Sequence, residues 1–195
     1  MVLSNVEIHK AFDDGRLIID PEPSPRKPTA DNPDCPYDTT SVDLRLGYTL
    51  SIPRSGAYCY DLTQPGIAKF LSQNSDEVKI DPKGGYKLGP REFVLGKTLE
   101  RVSIPIRENT PALAGRVEGK SSFARCGLLV HFTAPTIHAG FEGTLTLEII
   151  ILGNTGIVLM PGMKICQLIL EEVSGTPFPN PSQFQGQSKP SGTKS

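Results

Sequence analysis

Two stretches of the chain alternate apolar and polar residues with the period of two that a strand requires. The first is Ser41-Val42-Asp43-Leu44-Arg45-Leu46-Gly47, and the second runs Thr144-Leu145-Thr146-Leu147-Glu148-Ile149-Ile150-Ile151-Leu152. In the second, Leu145, Leu147, Ile149 and Ile151 share one face, which leaves Thr146, Glu148 and Ile150 on the other. Further short β-prone runs occur at Glu92 to Leu99, Ala112 to Val117, Gly127 to Thr133, Gly156 to Leu159 and Lys164 to Glu171. Runs of this length separated by turns predict an all-β sandwich, jelly roll or closed barrel. A different period opens the chain. Ser4-Asn5-Val6-Glu7 is a capping box followed by Ile8, Ala11 and Phe12 at helical spacing, with Gly15 as a stop, so one short N-terminal helix is predicted. Asp61 to Asn74 is ambiguous, with a helical turn as one reading.

Two segments show no period. Pro21 to Pro36 is rich in proline and polar residues and reads as an exposed loop or arm. The tail from Pro177 to Ser195 carries Pro, Ser, Gln and Gly with Phe178 and Phe184 as its apolar anchors; alone it would be disordered. A single domain over 1–195 is expected, with 178–195 a flexible tail that closes over the site.

Composition changes this picture little. The 195 residues are 37% hydrophobic and 21% charged with a formal net charge of −1, which is ordinary globular composition. The balance disfavours an electrostatic nucleic-acid binder, and an anionic ligand must be held by a local cluster. No run approaches the length of a membrane span and the first residues do not read as a signal peptide, so a cytoplasmic protein is expected. Cys35, Cys59, Cys126 and Cys166 are far apart and form no CxxC pair, which leaves a zinc ribbon without support.

Candidate chemistry lies between Gly115 and Leu152. Gly119-Lys120-Ser121-Ser122-Phe123-Ala124-Arg125 offers backbone N–H groups, hydroxyls and two cations to a phosphate chain. It is not a Walker loop, because Ala114 stands where that motif needs its first glycine; the ordinary alternative is a short helical turn with Arg125 solvated. Glu148, in the middle of the most apolar strand, would be poorly solvated there and suited to general acid–base work unless a cation such as Arg125 pairs with it. A structural Glu–Arg pair is the alternative. His131 alternates with apolar neighbours, and a lone strand histidine reads first as a structural residue. No HxE element precedes a Pro-Cys-x-x-Cys, so the zinc-dependent nucleobase-deaminase signature is missing.

Taken together, the stretch Gly115 to Leu128, Val130-His131-Phe132-Thr133-Ala134, Ala139-Gly140-Phe141-Glu142-Gly143, Leu147-Glu148, Pro161 to Ile165 and Phe184-Gln185-Gly186-Gln187 resemble the motifs of the dCTP deaminase family, in order and over nearly the whole chain. The resemblance implies a distorted β-barrel or jelly roll of the dUTPase-like type with a short N-terminal helix. It also implies a homotrimer with nucleotide sites at subunit interfaces, and Mg²⁺ carried by the triphosphate rather than by protein side chains. The implied reaction is zinc-independent deamination of dCTP to dUTP, with dTTP or dUTP as inhibitor or product and no nucleic-acid or membrane partner.

Residue by residue, the resemblance makes Glu148 the general base and proton shuttle, Ser121 and the Ala134 carbonyl the anchors of the attacking water, and Arg125 the organiser of the carboxylate. Lys120, Ser121 and Ser122, with Phe123 and Ala124 between them and Arg125, form the phosphate-binding segment. Thr146 and Leu147 flank the pyrimidine position, and His138, Gln167, Phe178 and Gln187 complete the expected substrate contacts. The chain departs from the family where its usual Ile-Asp becomes Ile137-His138 and its Lys-Tyr becomes Gln183-Phe184. Gln167 leans instead toward dUTPases and bifunctional relatives. Three readings therefore stand: a monofunctional dCTP deaminase, a bifunctional enzyme forming dUMP and diphosphate, and a nucleotide-binding member with altered substrate or regulatory role.

Overall fold

A computed structural model of the protein describes residues 1–56, 59–180 and 182–194. Helix α1 spans Asn5–Asp13, and the Ser4 hydroxyl caps it by accepting from the Glu7 N–H at 3.4 Å. Ile8 and Ala11 are its buried residues, and Gly15 turns the chain away at a φ of +64°, a conformation glycine adopts without steric cost. Two shorter helices follow, α2 (Ile67–Gln73) and α3 (Ser121–Ala124).

The strands are β1 (Ile18–Asp20), β2 (Ser41–Arg45), β3 (Thr49–Pro53), β4 (Ser75–Lys79), β5 (Tyr86–Leu88), β6 (Phe93–Ser103), β7 (Leu113–Gly119), β8 (Leu128–Val130), β9 (Thr136–Ile137), β10 (Glu142–Ile151), β11 (Ile157–Leu159) and β12 (Lys164–Glu172). One sheet runs β4-β3-β6-β10-β8, with β1 paired to β6 on the edge opposite β10. The other runs β2-β12-β7-β9, and β5 pairs with β11. All pairings are antiparallel. Both sheets contribute to one apolar core, with Val42, Leu44, Val117, Leu168 and Leu170 from one and Val94, Val102, Leu147, Ile149 and Ile151 from the other. This is the expected all-β jelly-roll arrangement.

Each strand read from the pattern is present. The strands the pattern left out are short or polar: β4 carries Asp76, Glu77 and Lys79 and sits at a sheet edge, where charges face water and discourage further pairing. β2 differs from its alternation in one respect, since its polar residues Ser41 and Asp43 are buried too. Asp43 is only 6% exposed, and its carboxylate takes the Lys120 ammonium at 2.5 Å. A buried acid needs such a partner.

The arm 21–36 has no regular structure but is tied down, with the Tyr37 hydroxyl donating to the Pro23 carbonyl at 3.0 Å. All four cysteines are free thiols. Among the described residues no helix is long and apolar enough to cross a membrane. The tail, polar as it is, folds back on the body: Gly186 N–H donates to Glu142 O at 2.7 Å, and Thr144 N–H to Gln187 O at 3.0 Å.

Candidate active site

β6 and β10 lie side by side with Thr146 opposite Lys97, Glu148 opposite Leu95 and Ile150 opposite Phe93. Paired residues in antiparallel strands share a face, so these side chains form a row on the sheet surface turned away from the core. The opposite face of β10 is locked, since Leu145, Leu147, Ile149 and Ile151 are at most 1% exposed. A one-residue slip would exchange the two faces, so core packing holds Glu148 in register.

Above the row lies a cavity of about 600 Å³, within the size range of a small-ligand site. Phe93, Leu95, Thr146 and Glu148 line its floor, and His131, Ala134, His138 and Phe141 its wall. Phe184, Gln185 and Gln187 of the tail reach over it.

The chemistry centres on two side chains. His131 follows β8 directly and takes a φ of +60°, a left-handed conformation that costs a non-glycine residue on the order of 1 kcal/mol. Its own N–H still donates to the Glu148 carbonyl at 3.0 Å. The ring lies between Glu148 and Ala134, with Nδ1 2.7 Å from Glu148 Oε2 and Nε2 donating to the Ala134 carbonyl at 2.8 Å. The Nδ1 contact is close but not aligned as a hydrogen bond, and both of its atoms are buried without another partner. The Thr146 hydroxyl beside them is likewise buried and unpartnered. Three of the five such side-chain atoms among the described residues thus meet in this cavity, so polar groups are grouped within a mainly apolar lining.

Burial of the imidazole works against its charged form, but the neighbouring Glu148 carboxylate outweighs that. With help from the Ala134 and Thr146 backbone, it raises the His131 pKa above its ordinary value. As an imidazolium the ring donates from both nitrogens. It then sets a positive charge 2.7 Å from Glu148 on one side and donates to the Ala134 carbonyl on the other.

The structure divides the residues singled out from sequence into two groups. Ala134, His138, Thr146, Glu148 and Gln187 come together around the cavity. Leu147 stands between Thr146 and Glu148 but points into the core, so only its backbone can face a ligand. Lys120, Ser121, Ser122, Phe123, Ala124 and Arg125 do not line this cavity. Lys120 is paired with Asp43, Phe123 packs on the core, and Ser121, Ser122, Ala124 and Arg125 are exposed along and just after α3.

The partner of Glu148 within the chain is therefore His131 and not Arg125, because the short turn of α3 carries Arg125 into solvent. Gln167 lies on β12 in the other sheet and donates to Asp38 Oδ2 at 2.6 Å, while Phe178 is 84% exposed. Local pattern reads His131 first as a structural residue, although it sits inside the Val130-His131-Phe132-Thr133-Ala134 motif. That motif is the signal that could have found it.

Fold and cavity together define a compact all-β protein with a carboxylate–imidazole pair set in a pocket of small-ligand size. A family model described as dCTP deaminase-like matches residues 2–173, and the chain belongs to that family. It is 36% identical over its full length to a dCTP deaminase of Haloarcula marismortui, covering 94% of that protein. It is 38% identical, again over its full length, to a dUMP-forming dCTP deaminase of Mycolicibacterium gilvum, covering 96% of that protein. Among solved structures, a 2'-deoxycytidine 5'-triphosphate deaminase from Agrobacterium tumefaciens superimposes with a TM-score of 0.60 at 21% identity. The match covers 87% of this chain and 47% of that one, so the chain spans about half its length, and the likeness establishes the fold.

Proposed function

We propose that this protein is a hydrolase converting dCTP and water to dUTP and ammonia in pyrimidine deoxynucleotide metabolism in the cytoplasm. The observation that carries the reading is Glu148 in the floor of the cavity, held in register by the core face of its own strand and facing the Ala134 carbonyl across His131. In this reading water adds to C4 of the cytosine ring. Glu148 takes its proton and delivers it to the departing amino group, so one carboxyl group serves both halves of the reaction. The Ala134 carbonyl and the Ser121 hydroxyl hold the water. His131 now fills the space between Glu148 and Ala134, and its ring must rotate before a water can use both anchors.

The exposed segment Lys120 to Arg125 meets the cavity of a neighbouring copy in a homotrimer, bringing Ser121, Ser122 and the cations to the triphosphate and Arg125 to the carboxylate. Mg²⁺ comes with the nucleotide. A hard cation takes oxygen ligands, and phosphate oxygens are its natural ones.

A second reading, formation of dUMP and diphosphate, is favoured by the name of the relative at 38% identity and by Gln167. Against it stands His138 on the cavity wall, where the family carries an aspartate. A neutral imidazole is a poorer acceptor for orienting water than a carboxylate. Incubation of the purified protein with dCTP or dUTP and Mg²⁺, with ammonia, dUTP, dUMP and diphosphate resolved, separates the readings. Accumulating dUTP is the expected product, and His138→Asp should raise dUMP formation. Direct release of dUMP at a rate comparable to ammonia would establish the bifunctional enzyme, and binding without turnover would leave a regulatory member.

A further inference from the structure

The tail is polar, yet it lies across the cavity in an ordered path whose anchors can be named. Gln187 brackets Thr144, its carbonyl accepting from the Thr144 N–H at 3.0 Å and its side-chain amide donating to the Thr144 carbonyl at 2.7 Å. The approach is so close that a Cβ on Gly143 would stand 3.0 Å from the Gln187 carbonyl. Beyond it, Ser188 and Lys189 N–H both donate to Thr193 O, and Gly192 N–H to Lys189 O, closing a loop in which Pro190, Ser191 and Gly192 are buried. These are neutral bonds, each worth little net of the water it replaces.

Lys97 adds a contact of another kind. It stands opposite Thr146 in the β6–β10 ladder, in the same row as Glu148, and its ammonium donates to the Ser188 carbonyl at 2.5 Å. A half-buried cation on a carbonyl is a stronger tether than a neutral pair. A second charged contact, Lys189 with Glu77, is 4.0 Å long between exposed side chains and holds little.

We propose that Lys97 is a positioning residue that fastens the C-terminal segment across the cavity before any ligand arrives, so that breaking the Lys97–Ser188 contact is the step that opens it. The consequence for turnover rests on the deaminase reading above; the tether itself does not. Hydrogen exchange of the full chain without nucleotide tests it on the wild type, Lys97→Met and Lys97→Arg. In Lys97→Met the amides of Gly186, Gln187, Ser188 and Gly192 should exchange about tenfold faster, with β7 and β12 amides unchanged, and Lys97→Arg should keep wild-type protection. Unchanged tail protection in Lys97→Met overturns the proposal. So does an equal loss in β7 and β12, which would make Lys97 a general packing residue. With dCTP, Lys97→Met should raise KM several-fold and leave kcat within about twofold. A wild type that turns over no dCTP would defeat the deaminase reading while leaving the exchange result to judge the tether.

Discussion

The two halves of the proposed site are built in opposite ways. Around Glu148 the framework comes from one chain: the strand is locked by four buried aliphatic residues, and His131 and the Ala134 carbonyl are in contact. Around α3 the chain supplies less, chiefly the Lys120–Asp43 pair and the packing of Phe123. The Lys120 cap position makes no side-chain cap bond, no α3 residue is buried, and Arg125 stands in solvent. In the proposed reading the proton-transfer half is preorganised by core packing, whereas the phosphate half would find its partners on a neighbouring copy. A second carboxylate makes the same point. Glu100, fully buried on the core face of β6, is satisfied by the Arg45 guanidinium at 2.6 Å and the Arg45 N–H at 2.9 Å. Glu148 has a close but unaligned neighbour, as suits a group that must change partners.

The largest effect should come from Glu148→Gln, which keeps shape and removes proton transfer. Deamination should fall by about a thousandfold or more with nucleotide binding retained, as read by ammonia release and by calorimetric titration. Turnover near wild type in that variant would break the assignment of the chemical half.

Next in size is a complementation test of the division itself. Glu148→Gln and Ser121→Ala are each expected to be inactive alone. Unfolded together and refolded as mixed trimers, they should recover up to roughly a quarter of wild-type activity, because random assembly reunites an intact Glu148 with a neighbour's intact Ser121 in that fraction of sites. No recovery in trimers verified as mixed would show that the two halves belong to the same chain.

A smaller effect concerns His131. Its raised pKa means that the imidazolium–Glu148 contact stabilises the fold fully below the ordinary histidine value, and that this contribution is lost as pH rises through the higher folded-state value. Thermal melts of wild type and His131→Gln should differ by about 2–4 °C near about pH 6 and converge near about pH 9. A gap that widens with pH would contradict the clamp. The smallest expected effect is none: chelating transition metals and restoring Mg²⁺ should leave turnover unchanged, and a loss reversed by zinc alone would overturn the water-activation scheme.

Local pattern was enough for α1, for the strands with apolar alternation and for the two-faced character of β10, because each depends on residues within a few positions of one another. Ala134, His138, Thr146, Glu148 and Gln187, singled out from the motif segments, line one cavity. What the chain does at long range was not legible. That residue 97 stands beside residue 146 is decided by the β6–β10 register. That His131 turns onto Glu148 depends on a left-handed backbone no local preference would choose. The tail's composition called for disorder, and only the receptor strand at Gly143 and Thr144, with Lys97 above it, gives it a place to lie. Side-chain periodicity reports which face is apolar; which faces meet is decided by pairings between distant segments, and those exist only once the sheets have closed.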